Sequence, residues 1–218
     1  MKNDLQILLS HLGRTLLFAA MVTLPPLLAW LDIQWLRDGV GEWSLVELTQ
    51  EGFLAASVAA FVRLAMRRAD DRRFAVLAAA LFASMFLREM DELLDLIVHG
   101  FWKYPVTLLI VSSLAWASRD WAAVLSGLTR FLTSRAGVVM TVGLVILLFY
   151  SRLIGMTSLW SGLLGEQYIR VFKNAIEETT ELLGYTFILA ASLGYLAQRV
   201  REARTRPVAV EASTLQRL

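Results

Sequence analysis

Nine carboxylates stand inside or beside apolar stretches long enough to cross a membrane. They fall into three groups: Glu47 and Glu51; Glu89, Asp91, Glu92 and Asp95; Glu177, Glu178 and Glu181. An acid at membrane depth is costly, and where it occurs it marks an ion or proton path, a water-filled cavity or a charged partner. Residues three and four apart share one face of a helix. That spacing sets Arg88, Glu92, Asp95 and His99 on one stripe, Glu47 and Glu51 on a second, and Lys173, Glu177 and Glu181 on a third. A carboxylate facing lipid at a helix centre costs about 2.5–3.5 kcal/mol, so the stripes should face one another or water. The nine acids are therefore the expected ion- or proton-binding set, with Arg88, His99 and Lys173 tuning their charge. Arg88 reaches Glu92, and Lys173 reaches Glu177, one turn along. Even with Arg170 and Lys103 added, the bases are too few. The remaining acids must be protonated, hydrated, bound to a cation, or paired with another polypeptide.

Oxygen ligands of this kind suit a hard cation. Glu51, Glu89, Glu92, Glu178 and Glu181 are the expected metal ligands, and a divalent or trivalent cation is the cofactor such a set would take. A di-metal carboxylate bundle needs Glu-x-x-His pairs; this chain offers only Asp95-x-x-x-His99. There are no cysteines, which excludes disulfides, thiolate-ligated zinc and iron–sulfur chemistry. Ser112, Ser113, Ser151, Ser158 and Ser161 have no His–acid set near them in sequence. No catalytic residue is assigned, and a metal-dependent hydrolase built on Glu92, Asp95 and His99 is the one enzymatic alternative.

Arg88-Glu89-Met90-Asp91-Glu92-Leu93-Leu94 and Glu177-Glu178-Thr179-Thr180-Glu181-Leu182-Leu183 share the pattern [RE]-E-x-x-E-L-L. The R-E-x-x-E portion looks like the acidic motif of the iron permease family, in which paired Arg-Glu…Glu motifs on membrane helices take up ferric iron. The resemblance rests on Arg88, Glu89 and Glu92, with Glu178 and Glu181 as a partial second copy. It implies acid-lined cation handling. Met90 stands where those motifs carry glycine, and Glu177 where the second copy would carry arginine.

Positioning these acids is the work of long apolar helices. Of 218 residues 57% are hydrophobic, with mean hydropathy +0.57. The excess lies in long runs, which gives an all-α, polytopic membrane helical bundle with about six transmembrane helices. The expected spans are Thr15–Leu31, Leu45–Met66, Phe74–Val98, Tyr104–Ala117, Gly137–Ile154 and Ile169–Ala197. The seven tryptophans fall near their ends, as in an interfacial belt. Residues 1–198 form the transmembrane domain, divisible as a 3+3 repeat at 1–100 and 101–198, and 199–218 read as a disordered cytoplasmic tail. The start of the chain reads as an uncleaved first span.

Fifteen of the 21 basic residues fall in loops of one side, which assigns both termini to the cytoplasm of a bacterial inner membrane. The opposite side holds six bases against thirteen acids, including all three acidic groups. Phe74–Leu87 supplies about 21 Å of apolar helix against a hydrocarbon core of about 30 Å. The third span should therefore continue through Arg88, Glu89, Asp91 and Glu92 and draw them inward. Gly184 and Ala191 offer a close approach to a second helix, and Gly137–Phe149 reads as facing lipid or another subunit. The expected function is cation or proton handling by the carboxylates of the second, third and sixth spans, as channel, carrier or ion sensor. The alternative is a non-catalytic accessory or assembly subunit docking another membrane protein through the acidic layer. Expected partners are membrane lipids and a second copy or a larger membrane protein. The basic residues flank spans, so nucleic acid is not implied.

Overall fold

The computed structural model describes residues 2–36, 44–165 and 170–205. Trp43, the expected sixth-span start at Ile169, the charges Arg37, Asp38, Glu42 and Glu166, and residues 206–218 of the expected tail lie outside the described residues. The described residues are helical throughout, joined by turns. The helices are α1 (Lys2–Leu31), α2 (Leu45–Arg67), α3 (Arg72–Glu89), α4 (Asp91–Asp95), α5 (Lys103–Ala117), α6 (Trp121–Leu132), α7 (Arg135–Val145), α8 (Ser151–Ile154), α9 (Thr157–Leu164) and α10 (Arg170–Thr205). Wider π-helical turns follow α1 (Asp32–Leu36) and α7 (Ile146–Tyr150).

Among the described residues, five helical stretches are long and apolar enough to cross a membrane: Asp4–Leu36, Leu45–Arg67, Lys103–Leu132, Arg135–Ile154 and Arg170–Arg204. They make the chain a candidate multi-pass membrane protein. The expected third span is not among them. Its helix α3 opens on Arg72-Arg73 and closes on Arg88-Glu89, so charge occupies both ends of its 18 residues. The continuous Phe74–Val98 helix is also corrected. Met90 leaves helical geometry at φ −83°, ψ 19°, and Asp91–Asp95 form a separate short helix. A stripe from Arg88 to His99 requires one unbroken helix, so that expectation fails with it.

The chain divides into two compact units. The first comprises Met1–Leu54 and Val139–Leu189, the second Ala55–Val138 and Ala190–Leu218. In the first unit α1, α2 and α10 meet at Ala29, Val46 and Leu182, with Leu28, Phe53 and Ala175 packed around them. Asp32 is fully buried and accepts the backbone N–H of Leu45 at 2.8 Å and of Val46 at 3.0 Å. These are donors that the start of α2 cannot satisfy within the helix. Gly143 on α7 and Gly184 on α10 face each other so closely that a Cβ on Gly143 would lie 2.9 Å from the Gly184 carbonyl oxygen. The close approach expected at Gly184 is therefore present, made by α7. On the other faces of α7, Val142 and Val145 are exposed.

In the second unit α3 packs against α5 and α6. Phe61, Phe74, Phe131 and Tyr195 form an aromatic core with ring centroids 4.9–6.5 Å apart. A Cβ on Gly127 would come within 2.7 Å of the Phe74 Cβ, so only glycine lets α6 lie this close to α3. Reading the segment after Ala117 as loop misses α6. Asp120 caps it, accepting the Ala123 N–H at 3.0 Å, and Val124, Gly127 and Phe131 form its buried face. The expected tail is helical over its first residues, because α10 runs on to Thr205.

Candidate functional site

The nine carboxylates are divided between the units. Glu47, Glu51, Glu177, Glu178 and Glu181 belong to the first, and Glu89, Asp91, Glu92 and Asp95 to the second. The best-formed group is on α10 in the first unit. Glu181 is buried, and its Oε1 lies 2.9 Å from Nη2 of Arg152 on α8. The Nη1 of the same guanidinium approaches Glu177 Oε1 at 3.4 Å, and Lys173 Nζ holds Glu177 Oε2 at 2.8 Å. One arginine thus bridges two carboxylates a turn apart, and a lysine closes the row. Gly155, just past α8, lies against the Glu177 carboxylate, where any Cβ would overlap it. Glu178 turns to α2. Gln50, 1% exposed, donates Nε2 to the Glu178 carbonyl at 3.0 Å and to its Oε2 at 3.2 Å. Glu47 and Glu51 are partly buried on the same unit's α2.

The Lys173–Glu177 contact matches its expected spacing. Arg152 was counted from sequence only as an outer basic residue, because the fold alone sets it beside α10, 25 residues from Glu177. In the second unit Arg88 lies 3.9 Å from Glu89 instead of reaching Glu92, since the helix has ended. Asp91 and Glu92 are exposed. Asp95 closes a turn, accepting the Gly100 N–H at 2.7 Å and contacting His99 Nδ1 at 2.8 Å. The Gly100 N–H first, and His99 as well, hold the Asp95 carboxyl below the usual 3.8. The His99 side chain is 97% exposed.

No three His, Asp or Glu side chains are grouped as a metal site needs among the described residues. Of the expected ligands, Glu51, Glu178 and Glu181 lie in the first unit, and Glu89 and Glu92 in the second. The candidate serines turn inward on their own helices: Ser112, Ser113 and Ser151 donate to the carbonyls of Leu109, Ile110 and Leu147.

A second charged cluster, unassigned from sequence, lies in the second unit. Asp71, fully buried, accepts Arg199 Nε at 2.6 Å. Arg130 Nη1 stands 3.3 Å from its other oxygen, an ion contact without hydrogen-bond alignment. Arg199, 6% exposed, also binds Glu202, which accepts from Gln198 at 2.9 Å. The Tyr195 hydroxyl is buried beside this network without a hydrogen-bond partner. From sequence Asp71, Arg130, Arg199 and Glu202 count only among the charges of the cytoplasmic side. The signal that could have exposed them is Asp70-Asp71 enclosed by Arg67-Arg68 and Arg72-Arg73.

No protein-family model, curated protein or solved structure matches the chain. The iron-permease-like motif therefore stands on its few residues alone.

Proposed function

We propose that the chain is a six-span inner-membrane protein, with α3 as the sixth crossing and both termini cytoplasmic, that handles protons or a small cation through the carboxylates of α10. The observation that carries this reading is the buried Glu181 joined to Glu177 through the half-exposed Arg152. A buried acid must be matched by a base or accept a proton. When Arg152 swings toward water, Glu181 exchanges that ion pair for a proton or cation; when Arg152 returns, it releases it. Lys173 stays paired with Glu177 in both states. A proton needs no grouped ligand set, and the bridge already brings two acids and a base together, so protons fit this site better than a multivalent metal.

The test is flux in proteoliposomes carrying an internal pH indicator, repeated with alkali cations under an imposed potential. Wild-type protein should conduct, and Glu181→Gln should fall to the level of protein-free vesicles. Lys173→Gln should conduct with an altered pH dependence. Full flux in the Glu181→Gln form would refute the proposal.

A second reading, an accessory subunit docked on a larger membrane protein, draws support from α1. Leu5, Leu8, Leu9 and Leu12, spaced to share one helix face, are all more than half exposed. Co-purification with one partner at fixed ratio, together with absent flux, would favour it. Glu177 and Glu181 already have bases and Glu178 has Gln50, so such docking would use apolar helix faces.

A further inference from the structure

The second unit carries a groove of about 760 Å3 between α2, α3 and α5. Val58, Val62, Val76, Ala83 and Leu109 make its walls almost wholly apolar. Arg72 and Trp116 stand at one end. That end is doubly basic. Arg72 is exposed and anchored through Nε to the Ala65 carbonyl at 3.1 Å. Arg73 lies 4.7 Å over the Trp116 ring and donates to the Trp116 carbonyl.

Length decides what fits. From Arg72 to Ala83 the groove follows α3 for about 16 Å, close to half of the roughly 30 Å hydrocarbon core. A transmembrane helix would need about twice that distance. A groove one leaflet deep, apolar along its walls and cationic at its mouth, has the shape and charge of a single lipid tail below its headgroup. Its volume lies within the range of about 300–1,000 Å3 typical of ligand sites. Basic pockets between membrane helices take anionic headgroups.

We propose that this groove binds an acyl chain of an anionic glycerophospholipid, with the headgroup phosphate at Arg72. The site rests on α2, α3 and α5 standing in the bilayer and is independent of the proton reading of α10.

Native mass spectrometry of the detergent-purified full chain tests it, using dioleoyl phosphatidylglycerol against dioleoyl phosphatidylcholine. The tails are identical, so any preference reports the headgroup. We expect phosphatidylglycerol to be retained about fivefold more, the factor that one interfacial arginine supplies. Arg72→Gln should abolish the preference and Arg72→Lys should keep most of it. Ala83→Phe, which fills the groove, should lose both lipids, whereas Val111→Phe on the exposed side of α5 should lose neither. Helical circular dichroism confirms that each variant is folded. Equal retention of the two lipids, or a preference that survives Arg72→Gln or Ala83→Phe, overturns the proposal. So does a lipid-free dimer that Ala83→Phe dissolves, which would make the occupant a second copy.

Discussion

Asp71 is the residue on which the second unit's polar interior turns. Its carboxylate meets Arg199 at 2.6 Å and Arg130 at 3.3 Å, and none of its surface reaches solvent. Removing one member of a buried pair strands the other charge, at a cost of about 3–5 kcal/mol. Asp71→Leu should lose that much in denaturant unfolding followed in micelles. Combining it with Arg199→Leu should restore part of the loss, because the double variant buries no orphan charge; strict additivity would mean the pair is not coupled. Asp95 makes a pH prediction. Its carboxyl is held below 3.8, chiefly by the Gly100 N–H and also by His99. A depressed folded value means that its contribution is complete above 3.8 and lost as the pH falls through the depressed value. Carboxyl NMR should place its midpoint below 3.8, and Asp95→Asn should speed hydrogen exchange at Gly100. At this scale the sequence was partly legible. Lys173–Glu177 follows from one-turn spacing on a helix, whereas Asp95–His99, at the same spacing, is made by the turn that follows α4. Arg152 with Glu181, and Asp71 with Arg199, join residues far apart in the chain, and no local spacing encodes them.

Helices fixed by hydropathy were easy to read, and those interrupted by charge were not. α2, α7 and α10 carry long apolar runs that force helix in a membrane, because unpaired backbone polar groups cannot face lipid. α3 was foreseen, but its length was taken from the bilayer's thickness instead of from its own end. Met90 stops it, so the Arg88–Glu92 pair never forms. α6 was hidden because Arg119, Arg130 and Arg135 resembled loop charges. Arg130 is in fact a helical residue reaching Asp71, and the buried Val124, Gly127 and Phe131 recur at helical spacing. The meeting of α7 and α10 makes a prediction. With Leu147 Cβ and the Gly143 carbonyl oxygen about 3 Å from any Cβ on Gly184, Gly184→Leu overfills the contact. Loss of about 1–3 kcal/mol, typical of overpacking, should appear in the same unfolding assay, while Gly194→Leu, with open space around it, should be neutral.

For the molecule as a whole, the absence of cysteine makes orientation directly testable, since single introduced thiols can be labelled without background. On the proposed topology, a membrane-impermeant maleimide added outside intact cells should label His99→Cys and leave Ser10→Cys and Arg119→Cys unlabelled until the cells are opened. The reverse pattern would invert the protein and the assignment of its acidic side.

Apolar runs determined, from sequence alone, a helical chain with several candidate membrane spans and acids clustered in three short groups along it. Those are properties of composition and order along the chain, and the bilayer imposes them on each helix separately. Which base meets which acid was decided by tertiary structure. α8 carries Arg152 to Glu181, α6 and α10 close on Asp71, and glycine contacts set how near those helices stand. Ion pairs act over a few ångströms in space, and separation along a folded chain carries almost no information about that distance.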